Sequence, residues 1–408
     1  MRNDIIELCL VQECTGCFAC EFACKKAAIR REKNDEGFEY PKINHDVCVS
    51  CHACQKICPV LSPIAKFIEG DVYASWSKNE NIRSKSSSGG MFSVFAEQIL
   101  SEGGAVVGAQ MDEDYYVRHI VICEQADLDK LRGSKYVQSI ISHELYIEIQ
   151  KRLHAGQKIL FCGTPCQVAA IRKAFRNNQL LFTIDLVCHG VPSPDFFAGF
   201  MRRLKKRIPN MVSYQFRDYK NWLVCTNVNV NVNVNGQIST RYLYGEPTFY
   251  QDAFLKGYLH RENCYSCRYT TISRVGDITL ADFWGIGKER PIDENYKGGC
   301  SMMSVNSANG RDLLDIVKDK IFYEERDIQE TINGGNEQLV SPTTRTIERD
   351  TFYKDANLLN YKKLIKKYNL KLRKKTTILQ RIMKKIKSVL KYHTNEEKKE
   401  KNITYHNL

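Results

Sequence analysis

The chain has no long apolar run, because no stretch of its 408 residues approaches about 18 uninterrupted apolar residues, and we expect no segment that spans a membrane. Charged residues interrupt the first 30 positions, so we also expect no secretory signal peptide. The body lacks an excess of either charge. The formal net charge is +13, but residues 361–408 hold 16 Lys and Arg against 3 Glu, which leaves 44 basic and 44 acidic residues before them. A neutral body argues against a basic nucleic-acid channel.

Cysteine is abundant instead: nine of the 17 cysteines fall in the first 58 residues, and eight of these nine, all except Cys9, follow one repeated pattern. They form two copies of the spacing C-x-x-C-x-x-C-x-x-x-C. Two residues between thiolates let a tight turn direct successive sulfurs at one face of a four-iron cluster, and the fourth cysteine of each run ligates the other cluster. We therefore predict two [4Fe-4S] clusters, one held by Cys14, Cys17, Cys20 and Cys58 and the other by Cys48, Cys51, Cys54 and Cys24.

Zinc is the alternative for these cysteines, but it needs only four ligands and usually takes two C-x-x-C pairs. Two identical four-membered runs fit zinc poorly. Cys58 is followed by Pro59, whereas Cys24 is followed by Lys25, so the turn after the first run lacks the fixed backbone angle of proline. Exposed iron-sulfur clusters need a reducing interior, which predicts a cytoplasmic protein from an organism that lives with little oxygen.

The rest of the chain predicts an α/β architecture behind an α+β ferredoxin-like unit at residues 1–68. A strand near 72–76 precedes a Ser/Gly loop and a helical apolar pattern from Met91 to Leu100. The strand at 158–161 runs into a Gly-Thr-Pro turn and a helix from about Gln167. Such strand–loop–helix units imply a mainly parallel sheet with its sites at the strand carboxyl ends. We predict one α/β region over 69–157, a second over 158–345, and a basic helical tail over 346–408.

The segment 227–234 alternates Asn and Val strictly and meets Asn235-Gly236. An Asn-Gly pair after an alternating run is a strong hairpin signal. A functional asparagine row is the alternative interpretation. We favour a half-exposed antiparallel strand.

Three later motifs, taken with the ferredoxin unit, point to a known family. They are Cys-Gly-Thr-Pro-Cys-Gln at 162–167, Asp-Leu-Val-Cys-His-Gly-Val-Pro at 185–192, and Asn-Cys-Tyr-Ser-Cys at 263–267 joined to Asp-Ile-Thr-Leu-Ala-Asp-Phe-Trp-Gly at 277–285. From about residue 8 to 340 the chain resembles the family of coenzyme F420 hydrogenase/dehydrogenase beta subunits. The resemblance implies an iron-sulfur flavoprotein that passes electrons between a ferredoxin or a redox partner subunit and an organic molecule.

The resemblance also implies a third four-iron cluster, held by Cys166, Cys188, Cys264 and Cys267. A C-x-x-C pair and two cysteines at strand ends agree with it in part, because all four could meet at one edge of a sheet. A zinc knuckle that includes His189, or simply buried thiols, are the alternatives. The cysteines without paired spacing are expected to be small core residues: Cys9, Cys123, Cys162, Cys225 and Cys300.

The implied FAD needs a receiver for its pyrophosphate, and a glycine-rich loop at a helix N-terminus is the usual one. The loop over 83–90 predicts this site, with the binding residues Arg83, Lys85, Ser87, Ser88, Gly89 and Gly90. The segment over 131–139 is the second candidate, with Ser134, Lys135 and Tyr136 reaching the flavin or its phosphates. His189 and Asp282 are the candidates for proton supply, against purely structural roles for both. Nothing in the sequence identifies a pocket for coenzyme F420 itself.

The tail predicts an amphipathic helix over 374–391, with apolar residues spaced by three and four and lysines on or beside the other face. Such a helix is typical of peripheral membrane contact, here at the inner face of the membrane; packing on the body or on a partner is the alternative. We therefore expect an oxidoreductase that acts on a small molecule or a glycan precursor. The competing hypotheses are an electron-transfer subunit without its own substrate site and a membrane-surface assembly protein with structural clusters.

Overall fold

The computed structural model describes residues 6–68, 70–176, 178–217, 222 and 228–375. The amphipathic helix predicted over 374–391 therefore lies outside the described residues from position 376 onward. Cys225 also lies outside them. Within the described ranges, no helix combines the length and the apolar character needed to cross a membrane.

The N-terminal unit consists of two short helices and one β-ribbon: α1 (Ala19–Ala23), β1 (Ile29–Lys33), β2 (Glu39–Ile43) and α2 (Ala53–Ile57). The ribbon is antiparallel, with Ile29 opposite Ile43. Each helix starts after a residue in the left-handed region, Phe18 (φ 57°) before α1 and His52 (φ 60°) before α2. These two residues occupy the same place in the two cysteine runs, so the repeated spacing folds into a repeated turn. This unit agrees with the predicted ferredoxin-like architecture.

The remaining chain holds eleven further strands among the described residues: β3 (Asp71–Ser77), β4 (Ala105–Met111), β5 (Val117–Ile122), β6 (Ile159–Gly163), β7 (Leu181–Leu186), β8 (Met211–Gln215), β9 (Asn229–Val234), β10 (Gln237–Tyr242), β11 (Ile278–Asp282), β12 (Ser301–Val305) and β13 (Ile321–Glu325). The α-helices are α3 (Glu80–Ser84), α4 (Met91–Ser101), α5 (His143–His154), α6 (Pro165–Ala174), α7 (Pro194–Arg207), α8 (Phe249–Leu255), α9 (Ala308–Val317), α10 (Ile328–Gly334), α11 (Arg349–Leu358) and α12 (Tyr361–Lys367). Short 3-10 helices cover Gln125–Lys130, Glu246–Thr248, Glu262–Ser266, Glu294–Gly298, Lys318–Lys320 and Glu337–Leu339.

Eight of these strands form the central sheet, in the order β13-β3-β12-β11-β7-β6-β4-β5. The neighbours β11, β7, β6 and β4 are parallel, whereas every pair outside them is antiparallel. The predicted parallel sheet is therefore correct for the centre only. At one flank the loop between β4 and β5 is too short for a crossover helix, which forces an antiparallel pair. The carboxyl ends of the four parallel strands share one edge of the sheet.

The loop after β6 shows how the sequence builds this edge. Thr164 caps α6 with a capping box that it shares with Gln167, and Pro165 occupies the first turn. Proline is compatible with that position because its missing N–H would have no partner there. The strand–turn–helix unit predicted around Cys162–Cys166 is thus present, and it places Cys166 at the start of a helix, just beyond the end of a central strand.

A buried ion pair joins β7 to the turn that precedes β11. Asp185 is fully buried and accepts hydrogen bonds from Arg274 at 2.9 Å and from the Thr279 hydroxyl at 2.7 Å. It also accepts the backbone N–H groups of Val275 and Gly276, at 3.1 and 2.9 Å. A buried carboxylate with this many donors fixes the strand end that carries Cys188.

The Asn/Val segment forms an antiparallel hairpin, as predicted. β9 and β10 pair around Asn235 (φ 51°) and Gly236 (φ 82°), both in the left-handed region that a tight primed turn requires. The outer end of β9 is exposed and its start is buried. β8 completes a small three-stranded sheet.

Candidate redox centre

The first group of thiols lines a narrow cavity of about 20 Å³ in the N-terminal unit, hereafter the first cavity. Its cysteines are Cys9, Cys14, Cys17, Cys20 and Cys58. Four of them are the set that the spacing predicts for one cluster, with Cys58 supplied by the second run. Backbone N–H groups of Gly16, Ala19 and Glu21 are directed at the sulfurs of the first run, and such hydrogen bonds help to tune iron-sulfur clusters.

Cys9 is the fifth thiol of this cavity, and the sequence reasoning assigned it to the core. Its single S–H is within hydrogen-bonding reach of both Cys14 and Cys58 and donates to one of them at a time, and this contact lowers the pKa of each of these thiols to about 6. Burial raises the pKa of Cys17 to about 12, and the neighbouring Cys14 acts in the same direction. Cys9 therefore lies between two predicted ligands and fills part of the space between them.

The second group lines an open cavity of about 260 Å³, hereafter the second cavity. Its cysteines are the other predicted set, Cys24, Cys48, Cys51 and Cys54. Cys51 is exposed, and Cys24 accepts the backbone N–H of Ala28 at 3.3 Å. Lys25, Lys26 and His52 line the same cavity, with no carboxylate among its lining residues. The second cavity is thus the more open of the two and has a positively charged wall.

The third group, hereafter the third cysteine group, lies beyond the carboxyl ends of β6 and β7. Cys166 is the second residue of α6, Cys188 follows β7 by two residues, and Cys264 and Cys267 belong to the turn around the 3-10 helix Glu262–Ser266. The pKa of Cys166 is raised to about 12, mainly by burial, and the charges of Cys267 and Cys188 contribute to this rise. Burial also raises the pKa of Cys264, and the charges of the other three thiols act in the same direction. The fold therefore brings the four predicted residues together.

The donor chemistry of all three groups fits iron-sulfur clusters. Burial and mutual repulsion oppose ionisation of adjacent thiols, and bound iron would supply the positive charge that removes this opposition. Within the described residues, no three His, Cys, Asp or Glu side chains are arranged to hold a single metal ion.

Tyr269 lies between the first cavity and the third cysteine group. It is 5% exposed and belongs to one packed apolar cluster together with Cys17, Cys166 and Cys267. Burial raises the pKa of its hydroxyl, and the nearest charges that act in the same direction are those of Cys166 and Cys17. No sequence pattern marks this tyrosine. It connects the two groups because the C-x-x-C turn packs against the N-terminal unit.

The loop over 83–90 is held tightly against the central sheet. The Arg83 guanidinium is 3% exposed and donates to the carbonyls of Gly299, at 2.7 Å, and Asn295. Ser88 donates to the Cys300 carbonyl at 2.8 Å. A Cβ at Gly89 would lie 2.3 Å from the Ser75 carbonyl oxygen, so only glycine fits there. Gly90 (φ 88°) precedes α4 in the left-handed region.

The two candidate flavin segments touch each other. Ser87 accepts the backbone N–H of Ser134 at 2.8 Å, whereas Lys85 is exposed and pairs with Asp129 at 3.1 Å. Lys135 is half-buried, and its amine donates to the carbonyls of Leu131 and Arg132. Burial lowers its pKa to about 7. Ser87, Ser134 and Lys135 are thus brought to one place, while Lys85 is turned outward.

Tyr136 and Asp282 meet through a residue that sequence reasoning missed. Arg217 is 2% exposed and donates to Asp282 at 2.6 Å and to the Tyr136 hydroxyl at 3.2 Å. Burial raises the pKa of Asp282, while Arg217 and the Ser88 hydroxyl act against this rise. Arg217 follows β8 without any recognisable motif, so only the fold shows its role. The network connects the predicted residues Ser88, Tyr136 and Asp282.

His189 lies next to this network, on the side of the third cysteine group. Its ring is 5.2 Å from that of Phe254, which stacks on Tyr136 at 4.9 Å, and Nε2 donates to the Leu255 carbonyl at 3.2 Å. Burial lowers the pKa of His189. The two candidate proton donors, His189 and Asp282, are therefore connected through Phe254, Tyr136 and Arg217.

The other cysteines without paired spacing that the structure describes do not line the first cavity. Cys300 is buried, as expected for a core residue, and burial raises the pKa of Cys162 to about 12. Cys123 is half-buried and accepts a hydrogen bond from Arg152 at 3.1 Å.

Three protein-family models match the chain. Residues 13–61 match a model described as "4Fe-4S dicluster domain". The other two models describe the beta subunit of coenzyme F420 hydrogenase/dehydrogenase, its N-terminal part over residues 72–145 and its C-terminal part over 156–331. The beta-subunit models cover the central sheet, and the dicluster model covers both N-terminal cysteine runs.

One curated relative is the F subunit of F(420)H(2) dehydrogenase from Methanosarcina mazei, which is 26% identical over 232 residues. That match covers 53% of this chain and 63% of the relative, which is less than two thirds of its length. Among solved structures, a chain of the F420-reducing [NiFe] hydrogenase complex from Methanosarcina barkeri aligns with a TM-score of 0.45 and 18% identity. This alignment covers 72% of the present chain and 94% of that one.

Replacing Cys58 and Cys9 separately should distinguish a ligand from a neighbour. We expect Cys58→Ser to lose about four irons per chain, because a four-iron cluster needs four thiolates. Cys9→Ser should keep the full iron content, since four thiols remain in the first cavity. Iron and acid-labile sulfide, measured after anaerobic preparation, check both. Equal losses in the two variants would contradict the predicted ligand set.

The lowered pKa of the half-buried Lys135 should make stability depend on pH. Its pKa is about 7 in the folded chain and about 10.4 when unfolded, so between these values the unfolded chain binds more protons and stability rises with pH. Relative to Lys135→Met, the wild type should therefore gain up to about 1.4 kcal/mol of unfolding free energy per pH unit from pH 7 to 10. Anaerobic urea denaturation measures this difference. The exposed Lys85→Met serves as the control for the loss of one lysine from the same region. A flat difference between the wild type and Lys135→Met would contradict the prediction.

Proposed function

Because the chain belongs to the family of coenzyme F420 hydrogenase/dehydrogenase beta subunits and carries a 4Fe-4S dicluster domain, we propose that it is an iron-sulfur flavoprotein oxidoreductase. In this proposal, electrons pass between a ferredoxin-type donor and an organic substrate through two N-terminal clusters, a third cluster and FAD. The observation that carries it is the spatial order of the cysteine groups. The exposed Cys51 marks the second cavity, the first cavity is buried, and Tyr269 connects it to the third cysteine group.

The proposed ligands of the third cluster are Cys166, Cys188, Cys264 and Cys267. Two of them depend on central strands and two on the turn that packs on the N-terminal unit, so this group lies where the two parts of the molecule meet. The buried Asp185–Arg274 pair holds the segment that follows that turn against β7, and Arg274 also donates to the Tyr269 carbonyl at 3.0 Å. A cluster at this place would link the N-terminal unit to the carboxyl edge of the sheet, where α/β proteins bind their ligands.

We assign the flavin to the place where the loop over 83–90 meets the segment over 134–136. When bound, FAD exchanges two electrons with an organic molecule and single electrons with clusters. Ser87, Ser88 and Ser134 supply hydroxyl groups there, the N-terminus of α4 offers backbone N–H groups behind Gly90, and Lys135 supplies an amine. The role of Arg83 in this assignment is to hold the loop, since it donates to the carbonyls of Asn295 and Gly299.

The proposed proton donors differ in their surroundings. Asp282 is ion-paired with Arg217, which keeps its carboxylate oriented, and burial favours its protonated form. His189 donates to a backbone carbonyl, and burial favours its neutral ring. We therefore assign proton transfer to Asp282 first and ring orientation to His189.

Coenzyme F420 is the first organic substrate to test, because the similar Methanosarcina mazei protein is named as part of an F(420)H(2) dehydrogenase. Other small organic molecules and glycan precursors are the further members of the proposed substrate class. That relative is also named a subunit, which favours the second candidate function, an electron-transfer subunit that works in a complex with a catalytic partner.

An anaerobic preparation of the full chain, with iron, acid-labile sulfide, zinc and flavin quantified together, tests the proposal. We expect about twelve irons and one FAD per chain, because three groups of four cysteines each hold one cluster. About eight irons with bound zinc and no flavin would overturn it. Reduction of an organic acceptor by the isolated chain would favour the enzyme over the electron-transfer subunit.

The charge of the second cavity predicts where an acidic ferredoxin-type donor docks. Lys25 and Lys26 are exposed beside Cys51, which is flanked by the exposed apolar residues Val47 and Val49. The double variant Lys25→Glu/Lys26→Glu should slow reduction of the chain by an acidic ferredoxin about tenfold or more at low ionic strength, because it replaces attraction by repulsion. Stopped-flow reduction at several salt concentrations measures this effect.

A matched control is the double variant Lys362→Glu/Lys363→Glu, which changes two consecutive exposed lysines on α12. It makes the same change in net charge and should leave the reduction rate almost unchanged. Equal slowing by both double variants would show a general charge effect and contradict docking at the second cavity.

A further inference from the structure

One buried arginine beside the first cavity has no carboxylate partner. The described chain buries six arginines, namely Arg83, Arg217, Arg261, Arg274, Arg326 and Arg349. Apart from Arg261, each has a carboxylate oxygen within 4 Å. The pairs are Arg83–Glu80, Arg217–Asp282, Arg274–Asp185, Arg326–Glu330 and Arg349–Glu36. Arg261 is 1% exposed and has no such partner among the described residues. A buried charge without a counter-charge is costly, so this site calls for one.

The guanidinium of Arg261 points into the N-terminal unit. Nε donates to the Cys14 carbonyl at 2.8 Å, one terminal nitrogen to the Glu39 carbonyl at 2.9 Å, and the other to Gln138 at 3.2 Å. The Tyr40 ring lies 4.0 Å from the guanidinium carbon. These partners are neutral, so they fix the position of the cation without cancelling its charge.

The Arg261 guanidinium also lies close to the first cysteine run. Gly16 lies between Cys14 and Cys17 with φ 67°, and a Cβ there would be 2.9 Å from an Arg261 nitrogen. Any larger residue at this position would push the cation away from the cysteine loop. The loop therefore has a glycine where the guanidinium approaches it.

We propose that Arg261 is the counter-charge of the cluster in the first cavity and raises its reduction potential above that of the second cluster. This inference rests on the proposed function, since it requires a cluster at Cys14, Cys17, Cys20 and Cys58. A four-iron cluster with four thiolates carries net negative charge, and each electron that it accepts adds more. A fixed buried cation stabilises the reduced form, and net charge and burial are established determinants of cluster potential.

The surroundings of the other two groups differ. Beside the second cavity the cations are Lys25 and Lys26, which are exposed and screened by solvent. Beside the third cysteine group, Arg274 is neutralised by Asp185 at 2.9 Å. Among the described residues, a buried arginine without a carboxylate partner is thus found beside the first cavity alone, and it makes the first cluster the preferred acceptor for an electron that arrives at the second.

The test is a potentiometric titration of the full chain, followed by electron paramagnetic resonance, in the wild type, Arg261→Gln and Arg261→Lys. The second cluster is identified by the signal that Cys51→Ala removes. Arg261→Gln should lower the midpoint potential of the first cluster by at least about 59 mV, a tenfold change in its reduction equilibrium, and leave the second unchanged. Arg261→Lys should keep most of the wild-type value. The control Lys362→Gln removes one exposed charge on α12 and should shift neither cluster appreciably.

An unchanged first-cluster potential in Arg261→Gln, or an equal loss in Arg261→Lys, would overturn the inference. If Arg261→Gln takes up no first cluster, the iron content of Arg261→Lys decides. A counter-charge for the cluster predicts that Arg261→Lys, which keeps the positive charge, takes up the first cluster, whereas loss of that cluster from both variants would indicate a purely structural role. Absence of both cluster signals from the wild type would instead refute the proposed function.

Discussion

One buried cation ties the N-terminal unit to the sheet beside the first cysteine run. Arg261 belongs to the segment after α8, and its backbone N–H donates to the Val191 carbonyl. Its side chain donates to the carbonyls of Cys14 and Glu39. The same guanidinium lies over Tyr40. A single side chain thus joins the cysteine loop, the β-ribbon and the edge of the sheet. Since a buried arginine must satisfy its donors, this joint fixes the distance between the first cavity and the third cysteine group.

The cysteine groups share a second physical constraint, which is the repulsion between adjacent thiolates in a medium that solvates them poorly. In the first and third groups, burial raises the pKa of most thiols, and each thiolate raises the pKa of its neighbours. Contact with Cys9 reduces this repulsion for the thiolates of Cys14 and Cys58, and backbone N–H groups act in the same direction at Cys14 and Cys17. Bound iron would do so more strongly, because it would bring positive charge to the sulfur atoms.

Prediction from sequence worked best where a local rule was sufficient. The repeated cysteine spacing produces two equivalent turns, at Phe18 and His52, and the Asn-Gly pair produces the hairpin between β9 and β10. The prediction of the sheet was less complete, because the centre of the sheet is parallel and its flanks are antiparallel. The alternation of strands and helices shows that crossovers exist, but which strands become neighbours depends on contacts between distant segments, such as β12 with β3.

The sequence by itself determined the chemistry available to this protein: two cysteine runs, a C-x-x-C pair and the loops that end central strands. These features are local, so spacing alone reveals them. Only the tertiary structure decided that Cys9 lies in the first cavity, that Arg217 joins Tyr136 to Asp282, and that Tyr269 lies between two cysteine groups. The physical reason is distance along the chain. Arg217 is 65 residues from Asp282, and its position is set by the packing of separate elements, which no short motif encodes.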